Sequence, residues 1–385
     1  MKIKKYILPI MLITAVSALS GCAENKPQEE DNAPQQLVFS ESAELMYAKQ
    51  FSIDRYEGGY SLISTADGGK YLIVPQEAEV PEDLDADTKI IRQSCGNIYL
   101  AATSVMGLFD ALDECGQIRF SGTKAENWYI PSAREAMEKG DILYAGKYRE
   151  PDYELLVSED CRLSIQSTMI NHTPEVKEKL EELGITVFTD LSSYEEHPLG
   201  RSEWIKVYGE MTGQQEKAEE LFNEQVSYLD SGDAFESTGK TAVYFYVSDS
   251  GQIVTRKSGD YVTKMIELAG GENVFYDLGS GSASSSVTME PEKFYETAKD
   301  ADFIIYNSTI SGSLSSLDEL IEKYPLLTDF KAVQNGSVWC TSDNLFQETM
   351  KLGVIIHDMN SVFTGNTDSD PPEFLYHLES GDAVE

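Results

Sequence analysis

The sequence predicts an α/β protein of two α/β lobes joined by a single long linking helix, with a ligand cleft between the lobes. Three observations carry this. Short β-rich runs alternate with helical patterns through residues 38–197, and the alternation resumes through 231–365, as βαβ units around a parallel sheet require. Between them, 214–229 (QQEKAEELFNEQVSYL) carries Ala218, Leu221, Phe222, Gln225, Val226 and Leu229 on one stripe and charge on the other. No turn residue interrupts that run. A stiff helical connector of this kind predicts small closure on ligand binding.

In the first half, 60–64 and 70–74 flank Asp67-Gly68-Gly69 and read as a hairpin. Residues 89–91 form a further strand. Val105, Met106, Leu108, Phe109 and Leu112 fall at helical spacing over 103–112. Strands at 118–121, 141–144, 163–166 and 185–188 alternate with helices at 131–137, 151–157 and 174–183, the last stopped by Gly184. In the second half, Thr241 to Val247 is a nearly continuous apolar run, the pattern of a strand buried on both faces. Helices follow at 261–268, 291–298, 314–323 and 347–362, with strands at 302–306 and 337–339.

The N-terminus reads as an export signal. Lys2, Lys4 and Lys5 precede an apolar run from Tyr6 to Leu19, shorter than the ~20 residues a membrane span needs. It ends in Leu19-Ser20-Gly21-Cys22, which resembles a bacterial lipoprotein signal and implies cleavage before a lipidated Cys22. Each buried CH₂ of the lipid contributes roughly 0.8 kcal/mol to anchoring on the outer face of the cell membrane. Residues 23–36 (AENKPQEEDNAPQQ) read as a disordered tether. The expected organisation is a signal peptide at 1–21, lipidated Cys and tether at 22–37, an N-terminal lobe at 38–197, a linker region at 198–230, a C-terminal lobe at 231–365 and an acidic tail at 366–385.

The chain has 385 residues and a formal charge of −36, with 66 acidic against 30 basic side chains, so its field repels polyanions and argues against nucleic acid as a partner. Four cysteines besides Cys22 (Cys95, Cys115, Cys161, Cys340) include no CxxC pair. In an exported protein they form disulfides or stay as buried thiols, and the sequence does not give the pairing.

Three strings carry a family resemblance: His197-Pro198-Leu199-Gly200-Arg201-Ser202-Glu203-Trp204-Ile205 before the linker, Ile266-Glu267-Leu268-Ala269-Gly270-Gly271-Glu272-Asn273-Val274-Phe275 at a helix end, and Val287-Thr288-Met289-Glu290 before a helix. With the lipoprotein signal, tether, two lobes and linking helix, they resemble the substrate-binding lipoproteins of ABC importers, of the class handling iron–siderophore complexes, haem and cobalamin. The stretch 38–87 is less typical of that class. The resemblance implies a monomeric receptor, without catalysis, resident metal or cofactor, that takes an iron chelate, haem or corrinoid and delivers it to a membrane permease. It also implies one exposed Glu at the top of each lobe for docking on permease arginines. By position these are Glu175 and Glu290, each opening a helix, where the helix dipole alone favours a carboxylate by about 0.3–1 kcal/mol.

In open α/β sheets ligands bind beyond the carboxyl ends of the strands. That selects Trp128, Tyr129, Tyr144, Tyr148 and Met169 on the first lobe, and Arg256, Tyr261, Tyr306 and Trp339 on the second. Flat rings suit a bulky chelate or macrocycle, and an arginine pairs with its acidic groups. Arg201 either reaches the cleft or anchors the linker through an acid such as Glu203.

Enzyme-like strings fail. Ser237-Thr238-Gly239-Lys240-Thr241 resembles a P-loop but has Ala234 where the first glycine belongs, and as SxxK it lacks its KTG and SDN partners. Residues 279–286 (GSGSASSS) lack the order of a dinucleotide loop, and His172, His197, His357 and His377 show no metal-ligand spacing. The competing expectation is a surface hydrolase or adhesion lipoprotein on the same scaffold.

Overall fold

A computed structural model describes residues 36–229, 234–279 and 286–380. The signal peptide, Cys22, nearly all of the tether, most of the 279–286 loop and the end of the acidic tail lie outside the described residues.

The N-terminal lobe carries two sheets. The first runs Phe39–Ser42, Phe51–Tyr56, Tyr60–Thr65, Lys70–Val74 and Thr88–Arg92 in spatial order, antiparallel except for its last pair. It contains the expected hairpin, whose Asp67 carboxylate accepts the Thr65 hydroxyl at 2.6 Å. The second sheet is parallel throughout, in the order Thr186–Asp190, Leu163–Ser167, Ile98–Leu100, Ile118–Ser121 and Leu143–Tyr144. The two meet where Thr186 donates to the Ile90 carbonyl at 3.3 Å and Tyr71 packs edge-on to Phe188.

The C-terminal lobe is built on one mixed sheet. Lys240–Val247, Phe303–Tyr306 and Val338–Thr341 run parallel, flanked by antiparallel Ile253–Arg256 and Leu375–His377, with Ser286–Met289 outermost. The expected strand at 241–247 is buried along most of its length. The segment read as an acidic tail differs from expectation. Leu375–His377 is an edge strand, and Asp358 accepts the backbone N–H groups of Glu373 and Phe374 at 2.9 and 2.7 Å to hold it there. The helix expected at 347–362 begins at Leu352, after two short turns at Leu345–Gln347 and Thr349–Lys351.

The linking helix is present as Gln215–Ser227, with Ala218, Phe222 and Gln225 buried on its predicted stripe. It is one of three consecutive helices, preceded by Pro198–Glu203 and Ile205–Thr212. The chain reverses between them at Gly213 (φ 76°), a left-handed position that glycine occupies without a Cβ penalty.

This helical layer sits inside one continuous core. Ile53, Ile73 and Phe188 from the first lobe, Trp204 and Tyr208 from the linker, and Ile355 and Ile356 from the second lobe belong to a single buried cluster. Large apolar side chains each contribute roughly 1.5–3 kcal/mol when fully buried. The lobes are therefore joined through packed interior as well as through a covalent connection.

Candidate functional site

The linker string His197 to Ile205 organises the region between the lobes. His197 caps its helix, with Nδ1 accepting the Leu199 N–H at 3.2 Å, and Pro198 occupies the first turn, where a missing N–H costs nothing. A Cβ on Gly200 would lie 3.2 Å from the Tyr47 carbonyl oxygen, a tight contact, so the glycine lets the N-terminal segment pack close against this helix. Ser202 donates to the Thr349 carbonyl at 2.7 Å, across to the second lobe. Glu203 does not anchor Arg201. Its carboxylate is fully buried, accepts the N–H groups of Met46, Tyr47 and Ala48 at 2.8 Å each, and pairs with Lys206 at 3.2 Å. Glu195 likewise takes the N–H groups of Lys49 and Gln50 and the indole N–H of Trp204.

Arg201 turns the other way. Its guanidinium lies 3.6 Å from the ring centroid of Tyr261 and donates through Nη2 to the Ser193 carbonyl at 2.9 Å. Its Nε is buried and has no acceptor among the described residues. The residue keeps a solvent-facing edge, while the protein packed around its head group pulls its pKa down against the opposing pull of Tyr261, Asp260 and Asp190. Arg256 lies beside it. Burial acts to lower its pKa, but Tyr244, Asp260 and Tyr261 outweigh that, and the Asp260 carboxylate lies 3.8 Å away. Asp190, below, is buried and raised by that burial, and accepts the Tyr208 hydroxyl at 2.5 Å. The expected trio Arg201, Arg256 and Tyr261 thus forms one cluster.

Tyr144 and Tyr148 form a second. Beyond the carboxyl ends of Ile98–Leu100, Ile118–Ser121 and Leu143–Tyr144 opens a recess of about 970 Å³, lined by both tyrosines with Lys124, Lys147 and Arg149. Lys124 lies 5.8 Å from the Tyr144 ring centroid and Arg149 5.5 Å from that of Tyr148, within cation–π range. The three cations were not expected from sequence, although Lys147-Tyr148-Arg149 is a basic–aromatic–basic string in a strongly acidic chain. Asn127 also lines the recess and gives its carbonyl to Gln347 of the second lobe at 2.8 Å, so the recess adjoins the interlobe floor.

Other expected contacts fare differently. Met169 (45% exposed) and Tyr129 (42%) present surface but do not line the recess, and the Tyr129 N–H is tied to the Gln347 side chain. Trp128 and Tyr306 are corrections: both are fully buried. Trp128 packs inward with its indole N–H on the Ser121 hydroxyl, and Tyr306 packs against Phe245 with its hydroxyl accepting the Val247 N–H. Trp339 is also corrected. It lies within strand Val338–Thr341, half-buried against the core and 5.0 Å from the His377 ring.

Glu175 and Glu290 are both exposed in the first turn or cap of a Pro-initiated helix, Pro174–Glu182 and Pro291–Ala298. Each follows the carboxyl end of a strand, Leu163–Ser167 or Ser286–Met289, and the register of the C-terminal lobe's sheet sets Met289 level with Val247. Both carboxylates thus belong to the strand ends that also bound the cleft. Among the described residues no three His, Cys, Asp or Glu converge as a metal site, and no helix is long and apolar enough to cross a membrane.

Comparison with known proteins agrees with this architecture. The periplasmic binding protein family matches residues 84–345. Two uncharacterized lipoproteins of Methanocaldococcus jannaschii are 25% identical, one covering 93% of this chain and 92% of its own length, the other 89% and 90%. The part of this chain left out of the first match is shorter than the N-terminal sheet, so that relative shares part of the atypical stretch. Among solved structures, the periplasmic haem-binding protein of Vibrio cholerae superposes with a TM-score of 0.55 at 18% identity, covering 68% of this chain and 97% of that one. The petrobactin-binding protein of Bacillus subtilis gives 0.55 at 12% (71% and 93%), and the vitamin B12-binding protein of Vibrio cholerae 0.51 at 18% (69% and 97%). These similarities show the shared two-lobed fold, and the alternative of a hydrolase or adhesion protein finds no support among them. With more than half of its length matched, the chain belongs to the periplasmic binding protein family, the substrate-binding components of ABC importers.

Proposed function

We propose that this protein is the lipid-anchored, extracytoplasmic receptor of an ABC importer, capturing an iron chelate, haem or corrinoid between its lobes and passing it unchanged to the permease. Anchoring is assigned to Cys22, ligand contact to Arg201, Arg256, Tyr261, Tyr144 and Tyr148 with contributions from the exposed Tyr129 and Met169, and permease docking to Glu175 and Glu290. The observation that carries the ligand reading is the Arg201 head group, enclosed between Tyr261 and Ser193 with a buried Nε that no described residue satisfies. A buried donor without an acceptor costs about 1–3 kcal/mol, which an acidic ligand oxygen would offset. Arg256 beside it, and Lys124, Lys147 and Arg149 in the recess, supply the same sign of charge within a chain of net −36. This favours carboxylate- or phenolate-bearing ferric chelates first, haem through its propionates second, and a corrinoid third.

The test is titration with ferric catecholate, hydroxamate and carboxylate chelates, haem and cobalamin, read by quenching of tryptophan fluorescence and by visible absorbance. An anionic chelate or haem is expected to bind, with Arg201→Gln weakening it at least tenfold, about 1.4 kcal/mol or more. Failure of every ligand to bind removes the receptor reading. Equal binding by Arg201→Gln removes the arginine from the site.

A further inference from the structure

At the end of the N-terminal lobe opposite the ligand recess lies a smaller cavity of about 320 Å³. Leu163 and Thr186, which begin two neighbouring parallel strands, line it, as do both Cys95 and Cys161. The two loops that carry these cysteines meet at this cavity. Asn97, two residues after Cys95, donates from its side chain to the carbonyl of Glu159, two residues before Cys161, at 3.0 Å. The adjacent strands Ile98–Leu100 and Leu163–Ser167 pair in parallel just beyond, with Tyr99 opposite Ser164. Both thiols are free in this structure. Burial pushes them up to about 11 at Cys95 and about 12 at Cys161, and the proximity of Cys95 itself contributes to the shift at Cys161. Cys115 and Cys340 have different surroundings: Cys115 contacts Asp110 and Ser132, while Cys340 sits in the second lobe among Ser308 and Tyr376.

We propose that Cys95 and Cys161 are joined as a disulfide in the exported protein, a staple at the base of the N-terminal lobe. The reaction is thiol–disulfide exchange with a protein or small-molecule disulfide of the extracytoplasmic space. One thiolate attacks a sulfur of that disulfide and expels a thiol. The second cysteine then attacks the mixed disulfide and expels the other. The two cysteines lose two electrons and two protons, and the donor disulfide is reduced to two thiols. Thiols held this firmly protonated exchange slowly once folded, so the bond belongs to the folding of the chain and not to a rapid redox response. In sequence the staple encloses every loop of the ligand recess from Ala101 to Glu150, while in space it sits at the opposite end of the strands. It therefore constrains the unfolded lobe without touching the ligand-facing loops.

The full chain is refolded from denaturant in a reduced/oxidised glutathione buffer, blocked with iodoacetamide without reduction, and mapped by peptide mass spectrometry. The expected result is a peptide pair linked through Cys95 and Cys161, with Cys115 and Cys340 alkylated. The linked form should melt about 5 °C or more above the reduced form, a difference that vanishes in Cys95→Ser. A Cys115→Ser/Cys340→Ser variant retains the link if the assignment is right. Alkylation of both Cys95 and Cys161 after refolding, or linkage of either to a different cysteine, overturns the proposal. The readout requires no ligand, so it stands or falls independently of the receptor reading.

Discussion

His197 shows how much one residue of the linker string has to do. Its ring stacks on Tyr47 at 4.3 Å while its Nδ1 caps the helix that carries Arg201. Burial, with Lys264 and Lys49 nearby, lowers its pKa from 6.5 to about 4. A base whose folded pKa lies below its unfolded value binds fewer protons when folded, so its contribution weakens as pH falls from 6.5 through 4. A proton on Nδ1 would also remove the acceptor for the Leu199 N–H. Because the residue is partly exposed, solvent screening reduces the effect to about 1–2 kcal/mol. His197→Asn keeps a capping oxygen and cannot charge. The difference in urea-unfolding stability, wild type minus variant, should therefore fall by that amount between pH 7 and pH 4. A difference that stays flat with pH would show that the imidazole does not titrate in this window. The sequence string marked this stretch as important. It left open whether Arg201 faces the cleft or Glu203, because side chains two residues apart on a helix point to opposite sides and the local pattern does not say which side the second lobe occupies.

Among elements, the N-terminal segment between Ala43 and Gln50 is held in a way that no hydrophobic pattern announces. Glu203, itself fully buried, alone satisfies three consecutive backbone N–H groups and pairs with the buried Lys206. Glu203→Ala would leave those three donors without their acceptor and take one partner from Lys206, which keeps Glu219 at 3.0 Å and the Glu44 carbonyl at 2.9 Å, at a cost of about 2–4 kcal/mol. Glu203→Gln keeps a neutral acceptor and should cost about half as much. Urea unfolding measures both, and hydrogen exchange should accelerate first at Met46, Tyr47 and Ala48. Exchange that speeds up uniformly over the whole chain would instead indicate a general loss of stability. Legibility of the elements follows the same physics. Gln215–Ser227 was readable because thirteen residues give its stripe room to repeat, and Lys240–Val247 because a doubly buried strand is apolar throughout. Ile98–Leu100, central in its sheet, has only three residues and shows no period, while Leu375–His377 is masked by its acidic flanks. Trp128 and Tyr306 illustrate a related gap. Position past a strand picks the correct end of the sheet, but whether a ring turns inward is decided by partners such as Ser121 and Phe245 that are distant in pattern.

For the molecule as a whole, the two lobes are tied by more than the linking helix. Ser202 and Ser104 both bond Thr349, Gln347 bonds Asn127 and Tyr129, and Gln225 bonds the Gly353 N–H, all within or beside the shared core. Rotating one lobe substantially against the other would break several of these buried bonds at once, which supports the small closure expected of a helical connector. A frame this stiff also fixes the separation of Glu175 from Glu290, whatever occupies the cleft. Two exposed carboxylates, one per lobe and without an ion-pair partner among the described residues, would in the proposed docking give a rigid two-point gauge for arginines on a permease. Because both are exposed and contribute nothing to the core, Glu175→Ala with Glu290→Ala should leave the urea midpoint and ligand affinity unchanged within about twofold. Uptake by cells should fall to background, and each single variant should lie between, since one remaining pair still steers encounter. Wild-type uptake by the double variant would take these two residues out of docking, and lost affinity in solution would mean that they serve the cleft instead.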